Sequence, residues 1–169
     1  METELILSLG GLPPLSARGC VQELLPVEQG KMRRTINGEL VFVGTPRSKY
    51  RSIIHCSDKT SLATDGLCPG AVVQVGCIQR LWQKVLPDMN NNPIRLERAA
   101  VEESVVAMDE SQKMISVERL GVDQVRLKER RLPCFVSYRP WLSMRTVRYS
   151  LHTNEWGLKA GWRLELEEI

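Results

Sequence analysis

Aromatic residues make up only 5% of this 169-residue chain, and histidine occurs twice. That leaves little material for a broad stacking surface or for imidazole chemistry. Signatures of phosphate or metal chemistry are missing too: no G-x-S-x-G, P-loop, G-x-G-x-x-G or H-E-x-x-H pattern occurs. The five cysteines, Cys20, Cys56, Cys68, Cys77 and Cys134, are odd in number and contain no C-x-x-C pair. A disulfide framework is therefore not expected, and zinc held by Cys56, Cys68, Cys77 and His55 would lack the paired ligand spacing of structural sites. Buried free thiols behaving as small hydrophobes are the expectation. No apolar run approaches the roughly 18 residues of a transmembrane helix. The chain opens with acidic residues, Glu2 and Glu4, where a secretory signal would be basic, so assembly in a cytoplasm is expected.

What is present is an ordinary globular composition, 43% hydrophobic and 25% charged, with length for one core. The net charge of +3 gives no general mandate to bind nucleic acid. Its distribution is uneven. Lys31, Arg33, Arg34, Arg47, Lys49 and Arg51 crowd the first third, and Glu165, Glu167 and Glu168 close the chain. A solvated basic face is the common meaning of such a run, while opposite charges at the two ends also suit subunits that meet head to tail.

The clearest architecture lies in residues 138–169. Val147, Tyr149 and Leu151 alternate on one face of a first strand, and Trp162, Leu164 and Leu166 on one face of a second, with Arg163, Glu165 and Glu167 outward. The polar segment around Glu155, Trp156 and Gly157 joins them into a hairpin, whose second arm is expected to hold the terminus in a sheet. Upstream, Gly19 and Pro26 bound a short strand, and Asn37-Gly38 between β-prone runs predicts a type I′ hairpin. Residues 49–56 read as another strand. Residues 71–78 place Ala71, Val73, Val75 and Cys77 on one face and Val72 and Ile78 on the other, which predicts a central strand covered on both sides. Helix and strand compete over 95–113. Leu96, Ala99, Ala100 and Glu103 fit a short helix, but a hairpin turning at 109–112 is favoured. The period over 121–131 is mixed and resolves neither way. Pro133 and Pro140 confine 134–138 to an edge strand.

The expected fold is thus mainly β, an antiparallel sandwich or barrel. Residues 1–15 form an N-terminal arm set off by Pro13 and Pro14, and 16–169 form a single β-rich domain with 84–132 as a loop or hairpin insertion. The arm carries Leu5, Ile6, Leu7 and Leu9, an apolar cluster that something must cover. Candidate subunit-contact residues are Leu5 and Leu7 of the arm, Arg33, Arg34, Lys49 and Arg51 of the basic third, and Glu165 and Glu167 of the last strand.

Candidate chemistry is thin. A nucleophilic cysteine needs an exposed imidazole beside it, and no spacing supplies one. Glu102 and Glu103 are adjacent and point in different directions on a regular element. Basic residues among Tyr50, Trp82, Tyr138 and Trp141 would suit a cytoplasmic single-stranded nucleic-acid-binding β-barrel, although core or subunit-contact roles fit those aromatics better. No catalytic, cofactor-binding or metal residue is assigned.

Two stretches carry a family resemblance. One is Arg33, Arg34, Thr35, Ile36, Asn37, Gly38, Glu39 and Leu40, followed by residues 49–53, Asp65-Gly66 and Pro69-Gly70. The other is residues 138–144, followed by 155–157 and 161–168. In this order they resemble small structural proteins at the distal tail or tail tip of long-tailed, siphovirus-like bacteriophages. The resemblance covers roughly half the chain, and no matching motif lies in 84–132. It implies a β-rich fold in a symmetric ring joining tail tube to tip, non-enzymatic, with no cofactor and no small-molecule substrate. Its partners would be further copies of itself and neighbouring tail proteins, and it would reside in the virion after assembly in the host cytoplasm.

The odd cysteine count and the expected reducing compartment predict that all five thiols are free in the native protein. Thiol titration under denaturing, non-reducing conditions should return five per chain; a stoichiometric disulfide would contradict both the count and the compartment.

Overall fold

The computed structural model describes residues 3–10, 19–27, 30–44, 49–58, 63–88, 91–128, 133–155 and 160–169. In chain order the strands are β1 (Ile6–Leu7), β2 (Val21–Val27), β3 (Gly30–Arg34), β4 (Leu40–Gly44), β5 (Lys49–Asp58), β6 (Val72–Gly76) and β7 (Leu81–Val85). They continue as β8 (Ile94–Arg95), β9 (Val106–Asp109), β10 (Met114–Ile115), β11 (Val117–Arg119), β12 (Gln124–Leu127), β13 (Cys134–Tyr138), β14 (Trp141–Thr153) and β15 (Ala160–Glu168). No helix occurs among the described residues. The competition over 95–113 resolves as strand: β9 and β10 form a hairpin in which Met108 faces Met114 and Ala107 faces Ile115.

A six-stranded antiparallel sheet, in the order β1-β6-β14-β15-β5-β2, has the final hairpin at its centre. Val73 and Val75 of β6, Leu142 and Met144 of β14, Trp162, Leu164 and Leu166 of β15 and Ile54 of β5 form its buried face. Leu67 and Leu5 join the same cluster. The alternation of β15 is as expected. That of β14 is not. A β-bulge between Thr146 and Arg148 inserts Val147 as an unopposed residue, so Leu142, Met144 and Thr146 point inward while Val147 is 44% exposed. Strict alternation cannot anticipate a residue that the partner strand does not match. Leu151, opposite the buried Trp162, is exposed. Residues 156 and 157 lie outside the described residues.

Strand β6 is buried on one side only. Val73, Val75 and Cys77 are inaccessible, whereas Val72 is 42% exposed, so the expected double coverage does not hold. The β3–β4 turn also differs from its expectation. Gly38 has φ +80° and donates to the Thr35 carbonyl at 2.9 Å, and Thr35 donates to the Glu39 carbonyl at 2.9 Å. Asn37 is not left-handed, so this is the three-residue loop with glycine in the αL position rather than a type I′ turn.

The stretch 81–138, between β6 and β14, builds a second core. A four-stranded sheet, β10-β9-β13-β7, and a three-stranded sheet, β11-β12-β8, share a cluster of Val85, Ile94, Leu96, Ala107, Val125, Leu127, Val136 and Tyr138. The buried side chains of 84–132 therefore pack with their flanking strands into a small sandwich, and the single core expected from length is divided in two. Strand β13 is interior to its sheet, paired to β7 on one side and β9 on the other. Pro133 and Pro140 stand outside the strand and set its length, not its position, which corrects the edge placement. The sheets are antiparallel throughout and open, so the sandwich form of the expected fold is the one realised and the barrel form is not.

Residues 3–10 turn back on the body. Ile6 and Leu7 pair with Gly76 and Val75, Leu5 is 4% exposed inside the first core, and Leu7 and Leu9 pack against it. Leu5, Leu7 and Leu9 of the expected arm are thus covered by their own chain, while Ile6 stays 41% exposed. Pro13 and Pro14 lie outside the described residues.

Trp162 is among the largest fully enclosed side chains, and its replacement leaves a void that rigid strands on either side fill poorly. Trp162→Ala should cost about 3–5 kcal/mol in equilibrium urea unfolding; a loss below about 1 kcal/mol would show the side chain is not a core residue.

Candidate interaction surface

Strands β3 and β4 pair with each other and with no other described strand. The register sets Met32 opposite Phe42 and Arg34 opposite Leu40 on one face, and Lys31 opposite Val43 and Arg33 opposite Val41 on the other. Each face therefore carries both aliphatic or aromatic surface and a cation. The Phe42 ring lies over Gly30, where any side chain would collide with it. Met32, Leu40, Phe42 and Val43 are about half exposed, and Ile36 at the tip is fully exposed. A lone two-stranded hairpin is marginally stable in water. Enclosing Ile36 and the exposed halves of Met32, Leu40 and Phe42 against a partner would contribute roughly 4–8 kcal/mol before ordering costs, comparable to the cost of association itself.

The residues singled out from sequence divide between this hairpin and the body. Arg33 and Arg34 are exposed on β3, with Arg34 donating to the Gly38 carbonyl at 2.9 Å. Lys49 and Arg51 begin β5, which lies beside β15 with Arg51 opposite Glu167. Arg51 forms a 2.7 Å ion pair with Glu165, to which Arg163 adds a second at 3.2 Å. The hydrogen bond from Arg51 holds the Glu165 carboxyl below its usual range. The basic first third and the acidic last strand thus meet within one chain. Leu5 and Leu7 belong to the first core, as described, and Glu167 is exposed.

Sequence reasoning missed the junction between the cores. Arg98 reaches Glu168 with Nε at 2.6 Å from Oε1 and Nη2 at 3.2 Å from Oε2. Glu168 Oε2 also accepts the Tyr50 amide at 2.9 Å, and the guanidinium lies 5.8 Å from the Tyr50 ring centroid. The Arg98 amide donates to the Tyr138 hydroxyl at 3.2 Å. One carboxylate therefore ties β15 and β5 to the second sandwich. Position in a charge run gave no signal for this, because Glu167 and Glu168 look alike until the strand's pleat separates them.

Apolar side chains are exposed elsewhere too, among them Trp82, Leu86, Met114 and Val122. Lys84, Phe135, Met108 and Met114 form a cross-strand row on the four-stranded sheet, with the Lys84 ammonium 5.8 Å from the Phe135 ring centroid. The aromatics proposed for stacking do not share a face: Tyr138 is buried in the second core, Tyr50 packs on the first, and Trp82 and Trp141 lie on different sheets. His55 and Cys56 are consecutive in β5 and point to opposite faces, the first exposed and the second buried. Burial pushes the Cys77 thiol up to about 11, opposite to nucleophile activation. Among the described residues no three His, Cys, Asp or Glu side chains gather as metal ligands.

A groove of ≈ 220 Å³ lies where the first sheet meets the segment after β8, lined by Ile6, Ala99, Ala100, Val101, Val122 and Trp141, with Glu102 and Arg119 at its polar margin. Gly76 makes room for it, since a Cβ there would press on Ile6 at 3.1 Å and Trp141 at 3.3 Å. The turn at its rim closes with Ser104 donating to the Val101 carbonyl through its amide at 3.3 Å and its hydroxyl at 2.7 Å. Glu103 adopts φ +56° in that turn, an uncommon conformation for a residue with a side chain. Glu102 and Glu103 are both exposed.

Comparison with family models, with curated proteins and with solved structures finds no match to this chain.

The geometry separates two neighbouring acids. Glu168→Ala should destabilise the fold by about 1.5–3 kcal/mol in chemical unfolding, against less than about 0.5 kcal/mol for Glu167→Ala. Equal losses would mean that the junction does not hold the cores together. Because the Glu165 carboxyl is held low, its contribution is complete above the ordinary carboxylate range and is lost as pH falls through the lowered value. Glu165→Gln should therefore flatten the acid limb of the stability–pH curve; an unaltered limb would contradict the pairing.

Proposed function

We propose that this protein is a non-enzymatic structural subunit of a larger protein assembly, and that the β3–β4 hairpin is the arm by which it engages a neighbour. The observation that carries this reading is the hairpin itself, joined to no described sheet, apolar on both faces and fully exposed at Ile36. Surface of that kind on a lone hairpin acquires stability when a partner covers it. The resemblance to distal-tail proteins gives the reading its specific form: a component of a symmetric ring at the distal tail or tail tip of a bacteriophage, assembled in the host cytoplasm, with no cofactor. A single-stranded nucleic-acid-binding barrel has less in its favour, because the sheets are open and the aromatics are dispersed.

The test replaces Met32, Ile36, Leu40 and Phe42 together by serine in the full chain. The variant should keep its far-ultraviolet circular dichroism and a cooperative unfolding transition, while light scattering shows the wild type as an oligomer and the variant as a monomer. A wild type that remains monomeric at its highest soluble concentration, or a variant that assembles as well as the wild type, would contradict the reading.

A further inference from the structure

We infer that the β3–β4 hairpin of one copy docks into the Ile6–Trp141 groove of a second copy, head to tail, with Ile36 entering the groove and Arg33 facing Glu102. This deepens the assembly reading above and rests on it. Three independent features of the chain meet here.

The first is chemical match. The hairpin presents an aliphatic tip and three cations, Lys31, Arg33 and Arg34. The groove presents aliphatic and indole walls with Glu102 and Arg119 at its margin, and Glu103 is exposed in the adjoining turn. A volume of ≈ 220 Å³ has room for one branched aliphatic side chain. Opposite charges at the rim select the register, as polar rims around apolar centres do.

The second is placement. In the order β1-β6-β14-β15-β5-β2, the hairpin follows β2 at one edge of the sheet and the groove includes Ile6 of β1 at the other. Five strand spacings, roughly 24 Å along the sheet, separate those edges. Ile36 is fully exposed, so the hairpin does not fill the groove of its own chain. Donor and receptor are different surfaces of one molecule, so their contact is heterologous and repeats from copy to copy.

The third is that the charges of arm and rim have no ion-pair partner among the described residues. Arg51 and Arg163, by contrast, share Glu165 on the sheet, and Arg98 pairs with Glu168 at the junction. Among the described residues neither Lys31, Arg33, Glu102 nor Glu103 forms an ion pair.

The experiment uses two full-length variants, each altered only at exposed positions. The arm variant combines Arg33→Glu with Ile36→Asp, and the groove variant combines Glu102→Lys with Val122→Lys. Analytical ultracentrifugation of each alone should show self-association weakened by at least about tenfold. Mixed together, they should form a 1:1 complex and nothing larger, because one intact arm and one intact groove remain between them. If the arm variant is monomeric but the groove variant assembles like the wild type, the groove is not the receptor; the inference falls and the assembly reading stands. If both are monomeric and the mixture yields no complex, arm and groove do not engage each other, which also overturns it. If neither variant alters assembly, or the wild type is itself monomeric, the inference and the assembly reading fall together.

Discussion

Two chain crossings join the cores, at 77–80 and 139–140, and backbone bonds already tie them, the Cys77 amide donating to the Pro140 carbonyl at 3.0 Å and the Val101 amide to the Arg139 carbonyl at 2.8 Å. Guanidinium groups and one side-chain amide add to these bonds. Arg139 donates through Nε to the Cys77 carbonyl at 2.8 Å, contacts the Glu4 carbonyl, and pairs with the Glu4 carboxylate at 3.3 Å. Arg80 donates to the Ser137 hydroxyl at 2.8 Å and to the Ser137 and Ser104 carbonyls. Gln22, nearly inaccessible on β2, accepts the amides of Ile78 at 2.7 Å and Gln79 at 3.0 Å. Burial, with Arg139 nearby, weakens the hold of Arg80 on its proton, and the carbonyls around it are what make a cation tolerable there. A slip of one residue at either crossing would turn a whole strand over, so these bonds fix which faces of β6, β7, β13 and β14 are apolar.

With the crossings fixed, the chain disposes of most of its exposed liabilities internally. The N-terminal segment caps an edge of the six-stranded sheet and places Leu5 in the core. The charge asymmetry between the ends of the sequence becomes side-by-side strands, β5 and β15, rather than opposite poles of the molecule. Lys84 partly shields the row of Phe135, Met108 and Met114. Against that background the β3–β4 hairpin is the exception, since its register spreads Met32, Val41, Phe42 and Val43 over both faces and leaves no side that the body can cover.

How much of this was legible depended on whether the controlling contact was local. Trp162, Leu164 and Leu166 alternate within one strand, and the buried face follows from that spacing. Gly38 located the β3–β4 turn, though not its type, because a left-handed glycine serves two- and three-residue loops alike. The bulge at Val147 was invisible, being a property of two strands in register and not of one. Pro133 and Pro140 marked the ends of β13 correctly yet said nothing about its neighbours, which are 25 or more residues away in sequence. The candidate site divides the same way. Arg33 and Arg34 were picked out by charge and do lie on the exposed hairpin, whereas Arg98, Arg139 and the Ala99–Glu102 wall of the groove act through partners that no spacing rule reaches.

The insertion of 81–138 between β6 and β14 bears on the order in which the chain folds. Strand β5 pairs with β15 across more than a hundred residues, so the central sheet waits for nearly the whole polypeptide. The second sandwich is self-contained by comparison: β7 meets β13, β9 meets β10 and β11 meets β12 within its own span. Once formed, it brings the ends of β6 and β14 together at Cys77 and Pro140, whose backbone groups bond at 3.0 Å. A loop of some sixty residues is thereby reduced to a short crossing before the large sheet must close, and the loop-closure entropy for that pairing is spent early. On a ribosome, the inserted unit emerges before β15 does, and it can serve as the template on which the last hairpin arrives.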